Sequence, residues 1–137
     1  MAFSYAKLEV YQEHLLYLNW LGHVLLLHLK GVDTATANQI SRAAKSIGAN
    51  LAEGTGQWLP GNKVRYYRYA HGSASECAAH MDTLKAMGTV DPETLEGWKE
   101  AIERINRIGV WVHNLVKKTE ARAEGQQRSR RPPSERY

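Results

Sequence analysis

Residues Arg42 to Gly56 read RAAKSIGANLAEGTG, and nearly half of them are glycine or alanine. Such a run is either a glycine-rich phosphate cradle or a helix with an unusually bare face. A dinucleotide fingerprint needs its glycines directly after a strand and at a helix start, and a P-loop needs Gly-Lys followed by Ser or Thr. Neither context is present. Gly54 and Gly56 follow the helical run, where glycine suits a left-handed C-terminal cap. The segment is therefore read as a helix ending at these glycines. Ala43, Ala44, Ile47 and Leu51, with the small Gly48, Ala49 and Ala52, allow a neighbouring backbone to come close.

Outward from this helix, breakers divide the chain at Lys30-Gly-Val-Asp33, at Gly54 to Asn62 and at Gly88-Thr-Val-Asp91, with no long β-branched alternation between them. Four helices follow. In the first, Leu8, Tyr11, Leu15, Leu18, Gly22, Leu25 and Leu29 recur at steps of three and four and predict a core stripe. The third repeats the pattern with Tyr67, Ala70, Ala74, Cys77, Met81 and Leu84. The fourth does so with Leu95, Trp98, Ile102, Ile105, Gly109, Val112 and Val116, after Asp91 as N-cap and Pro92 as first helical residue. Short connections between amphipathic helices predict an all-α, antiparallel up-down-up-down four-helix bundle over residues 1–117. After Lys117 the pattern stops, so residues 118–137 are expected to form a disordered basic tail.

Two helices carry more apolar residues than one core face needs. Val10, Tyr17, Leu21 and Val24 on the first, and Ile108, Trp111 and Leu115 on the fourth, form second stripes. They are assigned to a homo-oligomer interface, because a helix apolar over most of its circumference needs cover on both sides. A wide core stripe is the competing reading.

Composition bounds the rest. The chain has 137 residues, 43% hydrophobic and 23% charged, as expected of one folded domain. Up to Lys117 there are 12 Lys and Arg against 11 Asp and Glu; from Lys118 onward there are 6 against 3. The basic excess is concentrated in the tail. Cys77 is the sole cysteine, which excludes an internal disulfide and a cysteine-based metal site and makes a reducing cytoplasmic setting the expectation. The apolar run Leu15 to Leu29 is too short for a bilayer span and holds Asn19, His23 and His28, while Glu9 and Glu13 stand where a signal peptide would be basic. No membrane partner is expected.

Motifs for chemistry are sparse. The six histidines, His14, His23, His28, His71, His80 and His113, make no zincin-type pair, so no metal or other cofactor is expected. Glu100 with Arg104 and Glu103 with Arg107 have the spacing of surface ion pairs. No nucleophile lies beside a base by motif. Gln39, Ser46, Asn50 and Glu53 share a face of helix two and have Tyr69, Ser73 and Glu76 of helix three as possible partners; they are read as a structural polar network fixing helix register, a catalytic or ligand site being the competing reading. Between Trp58 and His71, the cations Lys63, Arg65 and Arg68 interleave with Trp58, Tyr66, Tyr67 and Tyr69. Cations neutralise phosphates and aromatic faces stack on unpaired bases. Lys63, Arg65, Arg68, Tyr66 and Tyr69, joined by Arg128, Arg130 and Arg131 of the tail, are thus the candidate nucleic-acid contacts. A core and interface role for the tyrosines, with the cations facing water, is the alternative.

Three phrases, QISRAAKSIGANLAEGTG (Gln39 to Gly56), RYYRYAHGSASE (Arg65 to Glu76) and YAKLEVYQ (Tyr5 to Gln12), resemble the four-helix-bundle family encoded in intervening sequences of bacterial 23S ribosomal RNA genes. The resemblance covers about residues 5 to 117. That fold is shared, more distantly, by the accessory variability protein of diversity-generating retroelements. The resemblance implies a non-enzymatic protein, a ring-like homopentamer, and, through the retroelement relative, association with RNA or DNA at low sequence specificity and with a reverse transcriptase. The chain departs from the pattern in the Trp58-Leu-Pro-Gly61 extension, in Pro60-Gly61-Asn62 at the start of helix three, and in a less basic body. The functional expectation is a non-enzymatic, homo-oligomeric bundle that binds or scaffolds nucleic acid. The alternative is a protein-interaction module docking a partner helix.

Overall fold

The computed structural model describes residues 4–135; of the expected domain and tail, residues 1–3 and 136–137 lie outside that range. Among the described residues the regular elements are all helical, and four rods form the bundle. After a short 3₁₀ turn, Ser4–Lys7, the first rod comprises α1 (Glu9–Trp20), a π-helical turn (Leu21–Leu25) and α2 (Leu26–Leu29). The other rods are α3 (Thr34–Gly56), α4 (Pro60–Ala86) and α5 (Trp98–Arg130). The first rod packs on α3 and α5, and α4 packs on α3 and α5, so the four close around one core in up-down-up-down order.

Local chemistry sets the ends of these rods. Gly31, at φ 73°, makes the left-handed turn out of α2, and Asp33 then caps α3 by accepting from Thr36 N at 3.0 Å. Pro60 opens α4, where its missing N–H costs nothing. Asp91 and Pro92 do not begin the last helix as expected. Asp91 Oδ1 accepts from Glu93 N at 3.0 Å and its carbonyl from Leu95 N at 3.0 Å, which makes a tight turn. The α-helix begins at Trp98, after Gly97 at φ 72°. Trp20 explains that glycine twice: its ring lies 2.9 Å from where a Cβ would stand, and its Nε1 donates to Glu96 O at 2.8 Å. The first rod is thereby pinned to the start of α5.

Gly54 and Gly56 are also reassigned. Both are helical residues of α3 without positive φ, and Gln57 is the C-cap. Gly54 is needed for space, since a Cβ there would lie 2.5 Å from Tyr67 Cε1. Gly48 does the same for His14, whose Nε2 would lie 2.5 Å from an added Cβ. What approaches the bare face of α3 most closely is therefore a ring from each neighbouring rod.

The core stripe of α4 is the expected one, with Val64 added. That of α1 is displaced by one residue. Val10, His14, Tyr17 and Leu21 are buried, whereas Leu15 is 41% exposed and Gly22 faces solvent. The cause is the π-helical turn, which inserts an extra residue; steps of three and four counted back from Leu25 and Leu29 therefore fall one position late upstream of it. Val10, Tyr17 and Leu21 belong to the core of the single chain and cannot line an interface between copies. The same holds for Ile108, fully buried on α5. Only Val24, Trp111 and Leu115 of the proposed interface keep accessible surface. The segment expected to be disordered from residue 118 is helical as far as Arg130, although the burial pattern does fade, with Thr119 the last buried among the described residues.

Candidate nucleic-acid interface

The candidate surface lies at the end of the bundle where α3 finishes and α4 starts. Trp58 and Leu59, in the linker between them, stand out in solvent, Trp58 at 95% exposure. Along the first turns of α4, helical spacing sends Val64, Tyr67 and Ala70 inward and leaves Arg65, Arg68 and Tyr69 outside. Tyr67, 4% exposed, packs on Gly54 and places its hydroxyl 3.3 Å from Thr55 Oγ1. Tyr66 and Tyr69 meet edge to face at 6.1 Å between ring centroids, and the Arg65 guanidinium lies over the Tyr66 ring at 5.0 Å. This Arg65, Tyr66, Tyr69 cluster is a preformed platform of one cation and two rings.

The other two cations are engaged. Lys63 Nζ donates to the carbonyls of Thr55 at 2.9 Å and Gly54 at 3.3 Å, closing the C-terminal end of α3. Partial burial and then the nearby Arg122 hold its ammonium below the usual lysine pKa. Arg68 is ion-paired with Glu120 of α5. Glu120 was not visible to spacing arguments, because it lies beyond the point where the apolar repeat ends.

Arg128, Arg130 and Arg131 stand exposed at the far end of α5. Because α5 runs antiparallel to α4, with Glu120 beside Arg68, the eight or more residues beyond Glu120 carry α5 about 12–16 Å further. That brings these arginines level with the start of α4. The structure thus gathers the tail arginines and the Trp58 to Tyr69 segment at one end of the molecule.

The polar network is smaller than expected. Ser46 and Ser73 meet at 2.9 Å across the α3/α4 seam, and Asn50 Nδ2 donates to Ser46 O at 2.9 Å and to Ser46 Oγ at 3.0 Å. Gln39 and Glu53 face solvent, and Glu76 is 3.4 Å from His80 on its own helix. These three are corrected to surface positions. On the outer side of α5, Glu103, Asn106, Arg107, Val110, Trp111 and Asn114 line an open groove. Glu13 ties α1 to α5 by accepting from Arg104 and Arg107.

Reactive groups are muted. Burial pushes the Cys77 thiol up to about 12, with Glu76 adding to the effect, so its thiolate is negligible near neutrality. Burial lowers His14 to about 4, and its Nδ1 has no hydrogen-bond partner. Among the described residues no group of three or more His, Cys, Asp or Glu is placed to hold a metal ion, and no helix is long and apolar enough to cross a membrane.

A crystal structure from Bacteroides thetaiotaomicron, of a protein of unknown function in the S23 ribosomal protein family, superposes on this chain with a TM-score of 0.70. It covers 79% of this chain and 98% of its own, at 18% identity, a likeness of fold. No curated protein sequence matches. Residues 6–110 match the profile of the family described as 23S rRNA-intervening sequence protein. That match runs from the first rod into the first half of α5 and covers most of the chain, and the chain therefore belongs to the 23S rRNA-intervening sequence protein family.

Proposed function

We propose that this protein is a non-enzymatic, homo-oligomeric helical bundle that binds single-stranded RNA or DNA with low sequence specificity. The observation that carries the reading is the Arg65, Tyr66, Tyr69 platform, flanked by the exposed Trp58 and by the arginines at the end of α5. Stacking surfaces and phosphate-neutralising charge are the two components such a site requires. With Lys63 and Arg68 held by intramolecular partners, Arg65, Arg128 and Arg130 become the principal phosphate contacts. The uncovered apolar residues Leu15, Leu16, Leu27, Val110 and Trp111 support association between copies. Self-association would repeat the basic end and multiply weak contacts through avidity. The resemblance adds five as the subunit number and a reverse transcriptase or other nucleic-acid enzyme as the protein served, in the cytoplasm.

Fluorescence anisotropy with unstructured single-stranded oligonucleotides across a salt series tests the reading, after light scattering has set the oligomeric state. Affinity should fall steeply with salt and vary little with sequence. An intact oligomer that binds nothing at about 50 mM salt, where phosphate contacts are strong, would transfer the assignment to a module that docks a partner helix in the α5 groove.

A further inference from the structure

On the seam between α4 and α5, His71 and His113 bring their imidazoles together, with ring centroids 5.8 Å apart and planes at 53°. They are 42 positions apart in sequence, so no spacing motif links them. They line a groove whose α4 wall is small, Ala74, Ser75 and Ala78, and whose α5 wall adds Ile105, Asn106 and Val110 around Gly109. His71 is half-buried and His113 exposed, which gives the pair both a rigid base and access from solvent. The other four histidines differ: His14 is sealed in the core, His23 and His28 bond the carbonyls of Asn19 and Thr89, and His80 lies beside Glu76.

We propose that His71 and His113 form a two-histidine chelate for a zinc-like divalent transition metal, stapling α4 to α5. Imidazole nitrogen is a preferred ligand of zinc, nickel and copper, and metal to nitrogen distances are about 2.0–2.1 Å. Two imidazoles sharing a tetrahedral ion have centroids about 5 Å apart on that geometry. The observed separation is within reach of a small rotamer adjustment on two packed helices. Each ring can present either nitrogen as acceptor by choice of tautomer. Water fills the remaining coordination positions. Helical spacing puts Arg68 and Lys117 about one turn from the two ligands, and Arg68 is already paired with Glu120. With two protein ligands and cations nearby, binding in the micromolar range is expected. The chelate does not depend on the nucleic-acid reading, since it needs neither the Arg65 platform nor the tail.

Thermal unfolding of the full chain with Zn²⁺ tests it, beside a Mg²⁺ control. At a hundredfold excess over the dissociation constant Zn²⁺ should raise Tm by roughly 5–10 °C and Mg²⁺ should not. His71→Gln and His113→Gln should each weaken Zn²⁺ at least about tenfold in calorimetric titration, by removing half of a chelate, while His28→Gln should not. Wild type should titrate with one ion per chain. The proposal fails if Zn²⁺ leaves wild-type Tm unchanged, if the double His71→Gln/His113→Gln variant keeps the shift, or if one ion binds per two chains.

Discussion

Tyr67 and Tyr69 are two residues apart on α4 and belong to opposite kinds of structure. Tyr67 is buried against Gly54, where an added Cβ would press on its ring, within a seam where α3 meets rings from both neighbours, His14 at Gly48 and Tyr67 at Gly54. Tyr69, 54% exposed, belongs to an end where aromatic rings and guanidinium groups stand in water. In the seam, free energy depends on volume and on uncharged polar groups, and changes there should alter stability. At the basic end it depends on charge and accessible ring area, and changes there should alter binding with stability nearly constant.

The sharpest way to break this contrast is acid. His14 is held at about 4 in the folded state by burial, against about 6.5 when unfolded, so between these values the unfolded chain binds the additional proton. Stability from this group is therefore fully present above pH 6.5 and is lost as pH falls toward 4, by about 3 kcal/mol in all. Urea unfolding across that window should show the loss, and His14→Leu should flatten the curve. A wild-type curve already flat would mean His14 is hydrated and the seam open.

Next in size, Gly54→Ala should cost about 1–3 kcal/mol, since the buried Tyr67 ring must move for the new methyl. Denaturant midpoints check it, and an unchanged midpoint would show the seam to be loosely packed. Asn50→Leu should cost about 1–2 kcal/mol by removing the Nδ2 donor from Ser46 O and Ser46 Oγ at the α3/α4 seam. Glu53→Leu, one helical turn on but facing solvent, should stay within about 0.5 kcal/mol. Equal losses from the two would restore the larger network.

At the basic end, Tyr69→Ala and Arg65→Gln should change unfolding by less than about 0.5 kcal/mol. Tyr69→Ala should cost about 1–3 kcal/mol of oligonucleotide affinity if a base stacks there. Arg65→Gln should reduce the slope of log K against log salt by about 1, and Arg68→Gln by less, because Glu120 already neutralises Arg68. Identical slopes for both variants would mean that nucleic acid displaces Glu120.

The bundle was legible because α4 keeps an uninterrupted three-and-four repeat and breakers mark the connections. The stripe on α1 was misplaced by a single residue, since periodicity assumes a constant turn and the π-helical turn at Leu21–Leu25 is not constant. His14 fell outside the predicted stripe because that stripe ran one residue late, through Leu15; the pocket over Gly48 makes it a neutral filler. The close approaches at Gly48 and Gly54 were signalled by bareness, but small residues do not reveal whether a backbone or a ring will fill the space. At the basic end, residue types were readable and partners were not: Glu120 lies more than fifty residues from Arg68 in sequence, and the carbonyls that hold Lys63 are brought to it by the turn between α3 and α4. The pairing of His71 with His113 escaped for the same reason.

The π-helical turn also bears on how this rod tolerates changes in length. Its buried positions, Val10, His14, Tyr17, Leu21, Leu25 and Leu29, run in steps of four, three, four, four and four. Removing one residue between Leu21 and Leu25 would turn the last steps into three and four, a regular repeat. Gly22 is the natural one to remove, as it faces solvent with nothing within 4 Å of its Cβ position. The rod behaves as an ordinary helix that has absorbed a single insertion. Its length is therefore negotiable by one residue at this place, whereas deletion of Leu18 or Asn19 would shorten the rod equally but bring Gly22 into the core position of Leu21.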